Sequence, residues 1–94
     1  MVTLYNDQVL RDGTKIGYYE RNRFYNMDGR EVGYYENNRI YDETGREVGY
    51  IEKDQVYRAD GKIYDEVEKV RQHVSSDNYP ELPCAAVGLL FGWD

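Results

Sequence analysis

Three sets of side chains in this chain are of types that could do chemistry. The first is a thiol and an imidazole: Cys84 is the only cysteine and His73 the only histidine. A thiol nucleophile needs a base beside it and a group that orients the base. Here a proline-containing stretch separates the two, and Cys84 opens an apolar run. A helix-terminal histidine and a buried small cysteine account for the same residues without catalysis. The second set is Glu20, Glu36 and Glu52. A carboxylate pair that cleaves glycosides needs two different environments, one raising and one lowering the pKa. These three recur every 16 residues and receive the same environment each time. The third set is tyrosine, with eleven copies in 94 residues. Tyrosine joins a rigid ring to a hydrogen-bonding hydroxyl, which suits contact with protein or sugar surfaces.

Metal and phosphate chemistry have no carrier. The chain has no cluster of His and Cys, and its Asp-Gly turns lack the spaced oxygens of a calcium loop. No glycine motif leads into Lys-Ser or Lys-Thr. The sequence therefore points to a protein that is not an enzyme and needs no cofactor. A net charge of -6 argues against nucleic acid and anionic lipid as partners. No apolar run approaches the roughly 20 residues of a membrane span, and the first residues do not read as a signal peptide. With a single thiol, the expected location is the cytoplasm.

The elements that would position the tyrosines are repeated hairpins. Gly33-Tyr-Tyr-Glu-Asn-Asn-Arg-Ile-Tyr-Asp-Glu-Thr-Gly45 has one copy 16 residues earlier, Gly17 to Gly29, and another 16 later, Gly49 to Gly61. A worn copy, Val2 to Gly13, opens the chain; it has Val2 in place of the glycine and is one residue short in its last turn. The central pairs Asn6-Asp7, Arg21-Asn22, Asn37-Asn38 and Lys53-Asp54 read as two-residue type I′ turns, because Asn and Asp tolerate positive φ. The glycines that close the longer connections fit a left-handed residue after a type I turn. A two-residue turn fixes register, so Glu20 faces Arg23, Tyr19 faces Phe24 and Tyr18 faces Tyr25.

Alternation separates two faces. Leu4/Val9, Tyr19/Phe24, Tyr35/Ile40 and Ile51/Val56 make the core face, together with Gly17, Gly33 and Gly49. Glycine recurring inside strands predicts close approach of another backbone. The opposite face carries Tyr18/Tyr25, Tyr34/Tyr41 and Tyr50/Tyr57, with Ile16, Val32 and Val48 on the same side. Glu20/Arg23 and Glu36/Arg39 are expected to form cross-strand ion pairs. After Gly61 the apolar spacing of Ile63, Val67, Val70 and Val74 predicts an amphipathic helix over 62–75. A loop follows over 76–83, then an apolar segment over 84–94. Helix and segment need a surface to bury against, and the tyrosine face is where they are expected to lie as a second core layer.

Four such hairpins in succession, each Gly-Tyr-aromatic/aliphatic-Glu, an Asn/Asp turn, then apolar-Tyr and a turn closing on Gly, resemble the four-fold β-flower proteins. The resemblance covers residues 2–61. It implies a mainly β fold with hairpins around a pseudo-four-fold axis, as a single domain over 1–94, in a small bacterial protein. It carries no catalytic residues. Tyr41-Asp-Glu-Thr-Gly-Arg46 is also similar to the core of YD repeats, which form longer arrays. The aromatic hairpins resemble choline-binding wall repeats in organisation, without the tryptophan expected there. The expected function is a non-enzymatic protein-interaction module acting through Tyr18, Tyr25, Tyr34, Tyr41, Tyr50 and Tyr57. The alternatives are self-association through the apolar C-terminal segment and binding of a glycan.

Overall fold

The structure, a computed structural model, describes residues 2–66 and 81–92. Nine strands follow in chain order: β1 (Val2–Tyr5), β2 (Gln8–Arg11), β3 (Thr14–Glu20), β4 (Arg23–Asn26), β5 (Glu31–Glu36), β6 (Arg39–Asp42), β7 (Glu47–Glu52), β8 (Gln55–Arg58) and β9 (Ile63–Glu66). One helix, α1 (Glu81–Phe91), follows. The strands form one antiparallel meander in sequence order.

Turn chemistry sets this meander. Positive φ is found at Asn6 and Asp7, at Asn37 and Asn38, and at Lys53 and Asp54, as type I′ turns require. In the second hairpin only the first turn residue, Arg21, takes positive φ, 59°, so Arg21-Asn22 is a two-residue turn but not the type I′ turn expected of it. The registers Glu20↔Arg23, Tyr19↔Phe24 and Tyr18↔Tyr25 follow from it. The turn of each hairpin also ties to the next one. Tyr19 N–H donates to the Asp7 carbonyl, Tyr35 to Asn22 and Ile51 to Asn38, at 2.8–3.0 Å. The shortened first repeat closes on a two-residue turn, Asp12-Gly13, with positive φ at both residues.

A bulge separates each hairpin from the next. Phe24 pairs with Gly33 and Tyr25 with Glu31, which leaves Val32 as the extra residue. Ile16 and Val48 occupy the same place at their own bulges. Strict alternation puts these three on the tyrosine side. The bulge breaks that alternation, and all three pack against the core cluster instead.

The bulge at β8–β9 leaves Tyr64 as the extra residue, so β9 opens a fifth repeat. This corrects the helix expected over 62–75: residues 63–66 are strand, and 67–75 lie outside the described residues. Of the loop expected over 76–83, residues 81–83 begin α1 and 76–80 lie outside the described residues. The apolar segment is helix as far as Phe91, and its first residues, Cys84 to Val87, are fully buried.

A flat nine-stranded sheet would be about 38 Å wide at ~4.8 Å per strand, yet the longest dimension is 31 Å. The sheet curls, and α1 lies inside the curl. The helix touches β1, β5, β6 and β7. It meets Phe24 on β4 through Phe91, and the Tyr64 hydroxyl on β9 donates to the Gly88 carbonyl at 3.3 Å. Arg11 on β2 donates to the Phe91 carbonyl at 2.5 Å, placing a cation at the helix C-terminus.

Three successive helix residues meet three successive hairpins. A Cβ at Gly49 would fall 2.6 Å from a Leu89 methyl, one at Gly33 2.6 Å from Leu90, and one at Gly17 3.1 Å from the Phe91 ring. Each would also collide with a backbone carbonyl, of Tyr57, Tyr41 and Tyr25 respectively. The close backbone approach expected of these glycines is therefore present. Successive helix side chains turn by about 100°, close to the 90° between hairpins of a four-fold arrangement. One helix can thus address each hairpin with one residue. Val2, Leu4, Val9, Phe24, Ile40 and Val56 complete the buried core with Cys84, Ala85, Ala86 and Val87.

Candidate functional site

The tyrosine face is the outer face of the curled sheet. α1 packs on the opposite, glycine-bearing face, so the expectation that this segment covers the tyrosines is corrected. The reason is steric: only the glycine rows give a helix room to approach the backbone.

The second, third and fourth hairpins each hold two tyrosines as a stacked pair. Tyr18 and Tyr25 have ring centroids 4.9 Å apart, Tyr34 and Tyr41 5.0 Å, and Tyr50 and Tyr57 5.0 Å, with planes within 21°. The Cα pairs Tyr18↔Tyr25, Tyr34↔Tyr41 and Tyr50↔Tyr57 put both rings on one face of adjacent strands, so stacking follows from register. All six side chains are half-buried.

Cations fill the space between pairs. The Arg23 guanidinium lies 5.2 Å from the Tyr34 ring centre and that of Arg39 lies 5.6 Å from Tyr50. Each reaches across from the adjacent strand on the side away from the stacked partner. Tyr34 and Tyr50 are thus sandwiched, with tyrosine on one ring face and arginine on the other. Arg23 also pairs with Glu31, and Arg39 with Glu47 at 2.5 Å. The hydrogen bond to each carboxylate, then its charge, raises the arginine pKa above its ordinary value. These ion pairs correct the expected ones. Glu20↔Arg23 and Glu36↔Arg39 are Cα partners, but the guanidiniums turn to the next hairpin. In the fourth hairpin Gln55 replaces the arginine and accepts a hydrogen bond from the Tyr57 hydroxyl at 3.0 Å.

At Tyr34 and Tyr50 the outer band therefore offers ring edges, hydroxyls and guanidinium edges rather than free ring faces. That surface can hydrogen-bond and make apolar edge contacts. Between the third and fourth hairpins it opens into a recess of about 230 Å³ lined by Asn37, Asn38, Arg39, Tyr50, Ile51 and Glu52. Sequence reasoning did not single this place out.

The other candidates are dispersed. Cys84 is fully buried inside the curl, and His73 lies outside the described residues. Glu20, Glu36 and Glu52 are exposed, each beside its own two-residue turn, on three separate hairpins. Among the described residues no group of three or more His, Cys, Asp or Glu side chains could hold a metal ion. Among the same residues no helix is long and apolar enough to cross a membrane.

Neither the curated proteins nor the solved structures contain a match to the chain. The family model described as 4-fold beta flower protein matches residues 22–71, just over half of the chain, from the second hairpin through β9. With four hairpins set around a central helix and the family match running from the turn of the second hairpin through the third and fourth, the chain belongs to the 4-fold beta flower proteins.

Proposed function

We propose that this protein is a non-enzymatic protein-interaction module that binds through the outer tyrosine–arginine band. One observation carries the reading: the three stacked tyrosine pairs and the arginines between them lie opposite the face that the helix fills. Tyrosine and arginine are the residues that most often anchor protein interfaces. Here stacking already fixes their rotamers, so less side-chain entropy is lost on binding.

The alternatives fit less well. Assembly through the C-terminal segment needs an apolar surface on residues 84–94, but Cys84 to Val87 are buried in their own sheet. A glycan site built on ring stacking needs open ring faces, and those of Tyr34 and Tyr50 are occupied.

The test compares wild type with the Tyr34→Ala/Tyr50→Ala double variant in affinity capture read by mass spectrometry. The expected result is a protein retained by wild type and lost by the variant, with an unchanged circular dichroism spectrum. A folded variant that captures the same proteins as wild type overturns the reading.

A further inference from the structure

The recess between the third and fourth hairpins differs in charge from the same place one repeat earlier. Each has a glutamate, Glu52 here and Glu36 there. Two arginines accompany Glu36: Arg21 in the preceding turn, and Arg39, its Cα partner across the hairpin. Sixteen residues on, both cations are gone. Asn37 takes the turn position, and Gln55 faces Glu52. The turn after Glu52, Lys53-Asp54, carries one charge of each sign. Arg39 also lines the recess, but its charge is met by Glu47 at 2.5 Å and its guanidinium lies over the Tyr50 ring. Glu52 is exposed, and among the described residues no ion pair reaches it. The recess thus carries one carboxylate whose charge its surroundings do not balance.

We infer that this recess receives a lysine side chain from the partner protein, with its ammonium on the Glu52 carboxylate. The inference rests on the protein-interaction reading and names the partner's chemistry. Ile51 and the edge of Tyr50 offer apolar surface to the four-carbon stem, which a lysine buries while its charge stays in water. Asn37 and Asn38 add amide oxygens, and an ammonium can donate three hydrogen bonds. An arginine would gain by stacking on a ring, but both faces of Tyr50 are taken, by Tyr57 and Arg39. The net charge of -6 draws basic segments toward the chain. At about 230 Å³ the recess is smaller than the ~300–1,000 Å³ usual for small-molecule pockets, which suits one anchoring side chain.

The test uses the isotope-labelled full chain at low ionic strength and N-acetyl-L-lysinamide as the probe. Saturable amide shifts are expected at Asn37, Asn38 and Glu52, and none at Arg21, Asn22 and Glu36, the same place one repeat earlier. The uncharged norleucine analogue is expected to bind about 3- to 5-fold more weakly, the upper range for an exposed ion pair. Glu52→Gln should weaken lysine binding by the same factor. Gln55→Arg, which restores the cation that the second and third hairpins carry at this position, should weaken it while keeping the carboxylate. No saturable shift at the recess, an equal response around Glu36, equal binding of the norleucine analogue, or undiminished binding in folded Glu52→Gln would each overturn the inference. Tighter binding of the arginine analogue would overturn the assignment to lysine. All but the Glu52→Gln reading use the wild type alone, so they stand even if a variant fails to fold. A protein captured through Tyr34 and Tyr50 without any lysine response would overturn this inference and leave the interaction reading standing. A lysine response with an unchanged capture by the tyrosine variant would do the reverse.

Discussion

The inner and outer faces of the curled sheet carry the same 16-residue period but obey it for different reasons. On the inner face the glycines repeat because one non-repetitive helix lies against all of them. Leu89, Leu90 and Phe91 are different side chains in a single segment, and each presses on one copy of the same glycine. On the outer face the tyrosines repeat because the second, third and fourth hairpins each stack their own pair, with an arginine from the preceding hairpin on the third and fourth. The inner period is a global constraint and the outer period is a local one. Substitution inside should therefore disturb the whole fold, whereas substitution outside should stay within one or two hairpins.

Gly33→Ala gives the largest expected effect. The new Cβ meets the Tyr41 carbonyl and, at 2.6 and 2.7 Å, both Leu90 methyls. Backbone cannot give way as a flexible side-chain end can, so the cost should be about 3 kcal/mol or more by urea denaturation. A cost under about 1 kcal/mol would show that helix and sheet are not in close contact there.

Tyr34→Ala, on the other face of the next residue, should cost about 1–2 kcal/mol, from a lost stacked pair and a lost arginine contact. Amide shift changes should be confined to the second and third hairpins. A change that spreads to Gly17, Gly49 and α1 would erase the distinction between local and global constraint.

The same distinction explains what was legible in the sequence. Local features were: the two-residue turns, the strand registers and the tyrosine pairs all follow from neighbours within one hairpin. Features set by the closed curl were not. Ile63, Val67, Val70 and Val74 have helical spacing, yet Tyr64 continues the row of Ile16, Val32 and Val48, and pairing with β8 decides for strand. The bulges hid the side on which that row lies. α1 is apolar all round because the sheet surrounds it, so it shows no polar stripe to mark it as a helix. Pro83 sits in its first turn, where a missing N–H costs nothing. The arginines of the tyrosine band were visible as charges, but their partners belong to the next hairpin rather than their own.

The smallest expected effect also lies in a local element. The longer connection after β6 is held by Asp42, whose carboxylate accepts from the Thr44 hydroxyl at 2.6 Å, the Thr44 N–H at 2.9 Å and the Arg46 N–H at 3.1 Å. The Thr44 hydroxyl hydrogen bond is the main cause that holds the Asp42 pKa below its ordinary value; desolvation opposes it, and the Thr44 and Arg46 N–H bonds add to it. A depressed folded pKa means stability that is present above the unfolded pKa, about 3.9. It is lost as pH falls through the lower folded value. One repeat earlier Asn26 accepts from Asp28 N–H at 2.9 Å and Arg30 N–H at 3.1 Å with no charge at all. Asp42→Asn should therefore keep the turn near neutral pH, with a thermal midpoint within about 2 °C of wild type. Below about pH 4 the variant should lose less stability than wild type, because a neutral amide has no proton to gain there. Parallel acid-side melting curves for the two proteins would show that the carboxylate has no preferential hold on its turn, and that the two copies differ in sequence but not in their response to pH.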